Sequence, residues 1–164
     1  MQTGSWSGIS WTKPGSIHLT LKFLGEVGEE KLGAIEEALT EAASGFAPLP
    51  VTARSIGAFP SLKGPRVVWA SIEAGAELTK LQKNIDERLT LLGFAPEERG
   101  FHPHLTICRV KKPSEGRELG MAIARMAPEI DESWVAASFA LYKSVLSPAG
   151  ARYTVLKRID LKGL

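Results

Sequence analysis

Two of the three histidines in this 164-residue chain stand in the same phrase, His-Leu-Thr: His18 and Thr20 within "SIHLTLKFLG", His104 and Thr106 within "FHPHLTICRV". Both phrases alternate in the period of a half-buried strand, so in each the imidazole and the hydroxyl leave the same face. At a rise of about 3.3 Å per residue, their Cα atoms lie about 6.5 to 7 Å apart. Two such pairs facing each other supply two general acid/base groups and two neutral hydroxyl donors for oxygens on a central atom. In-line displacement at phosphorus needs that inventory: a base behind the attacking oxygen, an acid behind the leaving oxygen, and donors for the remaining oxygens. A metal is dispensable when the leaving group is good or strained. With nine threonines in the chain, two His-x-Thr hits among three histidines arise by chance about once in a hundred.

The phrases need elements to hold them. Residues 16 to 25 read as a strand ended by Gly25, followed by a helix from about Glu29 to Ala43 with Leu32, Ile35, Ala38 and Leu39 at helical spacing. "VTARSIGAF" and "RVVWASIE" read as two strands joined by the turn-rich "PSLKGP". A second helix is expected from about Ala76 to Leu92, stopped by Gly93. The second His-Leu-Thr strand, a third helix over about 114–126, and the strands "SWVAASFALYKSVL" and "ARYTVLKRIDL" around a hairpin-like "SPAG" complete the order. This mixture is α+β, and the repeated phrase suggests two similar lobes within one domain covering 1–164.

Composition narrows the function classes. A length of 164 residues and 44% hydrophobic content suit a single globular domain with its own core. The formal charge of +2 is too small for the electrostatic footprint of a duplex-DNA binder. Acidic residues gather between Glu26 and Glu41, and basic ones over 109–117 and 152–162. A single cysteine, Cys108, excludes an internal disulfide, and no Cys/His cluster has zinc-ligand spacing. No apolar run reaches a membrane span, and the opening "MQTGSWSGISWTKPG" lacks a signal peptide's charged start and apolar stretch. A monomer in the reducing cytoplasm, without cofactor, metal or membrane contact, is expected.

"HLTLKFLG" and "PHLTICR" resemble the paired signature of the two-histidine (2H) phosphoesterase superfamily, in its RNA 2′,3′-cyclic phosphodiesterase branch, also called 2′-5′ RNA ligase. "SWTKPGSIHLTLKFLGEV", "FPSLKGPRVVWASIE" and "GARYTVL" agree with it, so the resemblance covers about residues 10 to 160. It implies a bilobal, pseudo-twofold fold of two antiparallel-rich sheets with outer helices around a central cleft, each lobe giving one motif strand. It also implies metal-independent hydrolysis of a terminal 2′,3′-cyclic phosphate on RNA or a nucleotide to a 2′-phosphomonoester. His18 corresponds to the proton donor, His104 to the proton acceptor, and Thr20 and Thr106 to phosphate-holding threonines. Members of this branch begin with a strand and a helix before the W-x-K-P phrase. Here only "MQTGSWSGIS" stands there, so the first strand of the first lobe is expected to be missing or replaced.

Other residues are candidates beside these four. Lys22 shares the parity of His18 and Thr20 and offers a point charge to phosphate, against an ordinary solvated lysine. Arg109 has the wrong parity on a regular strand, but its family position is near the site. Cys108 has the histidine parity and reads as a buried thiol, and His102 lacks a threonine partner. Trp69, Phe23 and Tyr153 carry rings able to stack a base, and of these Tyr153, beside Arg152, is assigned to the cleft. Two rival readings remain: a nucleotide- or RNA-binding module of the same fold with weak catalysis, and ligation as the reverse of hydrolysis.

Overall fold

The computed structural model describes residues 6–127, 129–147 and 150–163. Their elements run β1 (Ile9–Trp11), α1 (Leu32–Ala42), β2 (Leu49–Phe59), β3 (Val67–Glu73), α2 (Gly75–Leu91), β4 (His104–Val110), α3 (Pro113–Met126), β5 (Glu129–Ala136), β6 (Ser138–Ser147) and β7 (Gly150–Asp160). Short 3₁₀ turns at Pro14–Ser16 and Glu29–Lys31 precede the first motif and α1. Strands β1, β4, β3, β2 and β5 form one sheet in that order, and β6 and β7 form a second. The α+β class and its two antiparallel sheets are as expected.

Contacts divide the chain into two compact units. One contains the described residues up to Thr20 with Thr52–Glu73 and His102–Ser133; the other contains Leu21–Val51, Ala74–Phe101 and the residues from Trp134 on. Strands β2 and β5 therefore pass from one unit to the other. Both His-Leu-Thr phrases belong to the first unit, whereas the resemblance assigned one to each lobe.

In the first unit, alternation fixes two sheet faces. Along β3, Val68, Ala70 and Ile72 are buried, and Val67, Trp69 and Ser71 are only partly so. Val68 joins Ile9 and Cys108 in a core cluster lined by Ile56, Ala58, Leu119 and Ile123, so the apolar side of α3 packs on this back face. Two glycines let α3 approach the 62–65 turn: a Cβ on Gly120 would stand 1.9 Å from the Leu62 carbonyl oxygen, and one on Gly116 3.0 Å from that of Pro65.

In the second unit, α1 packs on α2, burying Ile35, Leu39 and Ala42 of the one and Leu78, Leu81, Ile85 and Leu89 of the other. Asn84 donates to the Ala42 carbonyl at 3.0 Å. Gly93 ends α2 as its sequence position suggests. At φ +87° it occupies the left-handed region, its N–H bonds Thr90 O, and Phe94 N–H bonds Leu89 O.

Three elements differ from expectation. The alternating stretch 16–25 is no continuous strand: a 3₁₀ turn enters it, Leu19 alone bridges, to Leu105, and the chain bends at Leu21. The apolar run 133–146 breaks at Ala137, where the chain changes sheets and the Ala137 carbonyl accepts from Leu161 N–H. β1, which sequence patterning does not reveal, pairs with β4 through Ile9↔Val110 to Trp11↔Cys108. The tip of the "SPAG" hairpin, Pro148 and Ala149, lies outside the described residues.

Candidate functional site

Pairing on β4 assembles the site. Leu19 bridges Leu105 in antiparallel fashion, a register that sets His18 opposite Thr106 and Thr20 opposite His104. Opposite residues of an antiparallel pair share a face, and diagonal neighbours lie about 7–8 Å apart. The two histidines are such diagonal neighbours, related by a local pseudo-dyad through the Leu19–Leu105 bridge. Each phrase's leucine falls on the opposite face from its histidine and threonine. His18, Thr20, His104 and Thr106 thus share one front face, opposite the core.

Both imidazoles are tethered in the same way. Nδ1 of His18 lies 2.8 Å from the Ser16 carbonyl, and Nδ1 of His104 lies 2.7 Å from that of His102, each two residues upstream. A carbonyl only accepts, so Nδ1 carries the proton in both rings. In a neutral ring this leaves the lone pair on Nε2; in a charged ring it leaves an Nε2–H. One tether therefore serves a base and an acid equally. His102 contributes its carbonyl, a backbone role that residue type could not signal.

A β-bulge decides Arg109 and Cys108. Val68 pairs with Cys108 but Trp69 pairs with Thr106, leaving Ile107 as an extra residue on β4. Beyond it the parity reverses. Arg109 pairs with Val67 and joins Thr106 and His104 on the front face, where it is exposed. Cys108 turns to the back and is wholly buried, and burial pushes its thiol pKa up, with a backbone hydrogen bond from Val68 opposing. The expectation of a buried thiol stands; the parity assigned to Cys108 was wrong for want of a bulge.

Lys22 is corrected. Its ammonium pairs with Asp86 of α2 and donates to the Ala95 carbonyl, and its side chain is only 5% exposed. Buried and paired, it serves the second unit's packing rather than offering a free charge to phosphate. Tyr153 lies on β7 opposite Ser144, with its ring edge-on to Tyr142 at 6.2 Å, also in the second unit. Trp69 is on the front face, beside Phe59 and His104. Phe59 carries no signal in the sequence, where "GAF" reads as ordinary strand. Ser71, paired with His104, has its hydroxyl on Ser55, accepting the Ser55 N–H at 3.1 Å. Among the described residues no group of three or more His, Cys, Asp and Glu could hold a metal ion.

The model of LigT like phosphoesterases matches residues 2–69 and 71–153, running through both His-x-Thr phrases. An RNA 2′,3′-cyclic phosphodiesterase of Archaeoglobus fulgidus is 38% identical over 151 residues, 92% of this chain and 83% of the relative. One of Methanothermobacter thermautotrophicus is 36% identical over 146 residues, 89% and 79% of the two chains. A crystallised protein of Thermus thermophilus superposes with a TM-score of 0.82 at 30% identity, covering 98% of this chain and 86% of that one. E. coli LigT complexed with 3′-AMP gives 0.75 at 27% identity, covering 94% and 82%. A match over both motifs and most of the chain, with the same fold behind it, makes this chain a member of the LigT-like phosphoesterase family.

Proposed function

We propose that this protein is a phosphodiesterase that opens the terminal 2′,3′-cyclic phosphate of RNA or a nucleotide to a 2′-phosphomonoester. The observation that carries the reading is the Leu19–Leu105 bridge, which gives one sheet face two tethered imidazoles and two hydroxyls. Relatives bearing that activity in their names support it, and the 3′-AMP complex of E. coli LigT supports a nucleotide ligand.

In the proposed step His104 starts neutral. Its Nε2 lone pair takes a proton from water as the water oxygen bonds phosphorus. His18 starts charged and its Nε2–H passes to the departing 3′ oxygen, so the P–O3′ bond breaks to a 3′-hydroxyl while O2′ keeps the phosphate. Thr20 and Thr106 hydroxyls donate to the non-bridging oxygens, and Arg109 adds charge on the same face. Protons exchanged with solvent reset both rings. By microscopic reversibility, a 5′-hydroxyl in place of water gives a 2′-5′ bond, the ligation direction. We assign the enzyme to the cytoplasm as a monomer. No helix among the described residues is long and apolar enough to cross a membrane.

The test is a panel of 2′,3′-cyclic mononucleotides, with product identified as 2′- or 3′-phosphate. Release of the 2′-phosphate, lost in His18→Ala and His104→Ala, is expected. Binding of the nucleotides without turnover would instead make the protein a binding module.

A further inference from the structure

His104 is braced by more than its carbonyl tether. Its ring meets Phe59 nearly edge-on, with centroids 5.4 Å apart and planes at 83°, and lies 6.1 Å from the Trp69 ring. Phe59 and Trp69 are themselves 5.2 Å apart. These three rings come from three neighbouring strands, β4, β2 and β3, so β3 supplies the floor and the outer two meet above it. Trp69 can lie down because its partner on β2 is Gly57. A Cβ there would stand 2.2 Å from Trp69 Cη2 and 2.4 Å from Cζ2. The buried Trp69 Nε1–H has no hydrogen-bond partner among the described residues, so packing orients the indole.

We infer that Phe59 is a positioning residue for catalysis, holding the His104 imidazole against the Trp69 floor so that Nε2 faces the phosphorus. This rests on His104 being one of the two proton-transfer groups proposed above. A single hydrogen bond at Nδ1 leaves the ring free to swing about it. The T-shaped contact with Phe59 on one side and the Trp69 ring on another restrict that freedom, and edge-to-face contact is an arrangement aromatic pairs favour. Phe59 is 41% exposed, more than an apolar side chain needs for core packing alone, so its ring is kept at the surface where the imidazole is.

Phe59→Leu keeps the apolar bulk and removes the ring; Phe59→Tyr keeps the ring and sends a hydroxyl toward solvent. On a 2′,3′-cyclic mononucleotide, the leucine variant is expected to lose about 10- to 100-fold in kcat with KM within about threefold, because misplacing a proton acceptor costs rate rather than affinity. The tyrosine variant is expected to stay near wild type. In a His104→Ala background, read by single turnover with enzyme in excess, Phe59→Leu is expected to cost nothing more. Nitrogen NMR of the His104 ring gives a readout without substrate. Wild type should show one tautomer protonated at Nδ1, and Phe59→Leu a mixture.

An equal loss from Phe59→Leu with and without His104 would overturn the inference, as would leucine-variant turnover at the wild-type rate or an unaltered His104 spectrum. If His104→Ala alone left turnover intact, the catalytic reading itself would fall. That outcome is visible without Phe59.

Discussion

At the scale of single residues, the two histidines are alike in tether, and the proposed step gives them unlike tasks. Both hold Nδ1 against a carbonyl two residues upstream, so geometry does not decide which is acid and which base; the assignment comes from family resemblance. A rate that needs one neutral and one charged imidazole follows a bell-shaped pH profile, and His18→Ala or His104→Ala is expected to cost about 10²–10⁴-fold. An activated aryl phosphodiester separates them. Its leaving oxygen needs little help, so the His18→Ala loss should shrink and the His104→Ala loss persist. Shrinkage at His104 would reverse the roles. The meeting of His18, Thr20, His104 and Thr106 on one face was legible in sequence because type, spacing and repetition coincided. Lys22 was not, because nothing local tells a lysine facing phosphate from one buried on Asp86, sixty-four positions away.

At the scale of elements, sequence periodicity found the three helices and most strands and failed where backbone pairing departed from regularity. The residue at the bulge, Ile107, is an ordinary strand former and bears no mark of its role. Its consequence can be measured on Cys108, which a regular strand would turn to the open front face. In the folded protein this thiol, buried and with its pKa raised, should resist a thiol reagent at neutral pH, with one thiol per chain appearing after denaturation. Fast labelling of the native protein would deny the bulge. β1 was missed because three residues carry too little pattern. A carboxylate helps to anchor it: Glu115 of α3 accepts from Gly8 N–H at 2.7 Å and from the Ser7 hydroxyl, beside Lys112. The Gly8 bond chiefly holds the Glu115 carboxyl pKa below its ordinary value, burial opposing and Lys112 assisting. A depressed folded-state pKa contributes stability above the unfolded value, and that contribution is lost as pH falls through the folded one. Glu115→Gln should therefore speed amide exchange at Gly8 and Ile9 at neutral pH, and the wild-type advantage should vanish in acid below the usual carboxylate range. Equal exchange in both proteins at neutral pH would remove the anchor.

At the scale of the whole molecule, both phrases sit in one unit, so their meeting depends on one sheet and on the single bridge between Leu19 and Leu105. The two helices α1 and α2, which lie between the phrases in sequence, belong to the other unit. Two consequences can be read in solution. In the proposed step the acid, base and oxygen donors are all side chains of this chain, so EDTA should leave kcat on a cyclic mononucleotide unchanged; loss in chelator with rescue by a divalent ion would show a missing participant. Charge sets the second. With 20 basic residues against 18 acidic and an exposed Arg109 on the site face, the proposed site suits a terminal phosphate rather than a tract of backbone. For single strands, log affinity falls with log salt by about 0.7 per phosphate neutralised. Measured on a cyclic-ended oligonucleotide, log kcat/KM against log salt should therefore fall with a slope no steeper than about 1.5, the worth of one or two phosphates. It should also nearly match the slope for the cyclic mononucleotide. A much steeper slope for the oligonucleotide alone would mean that a longer basic track engages the strand, and the substrate would then be defined by its length as well as its end.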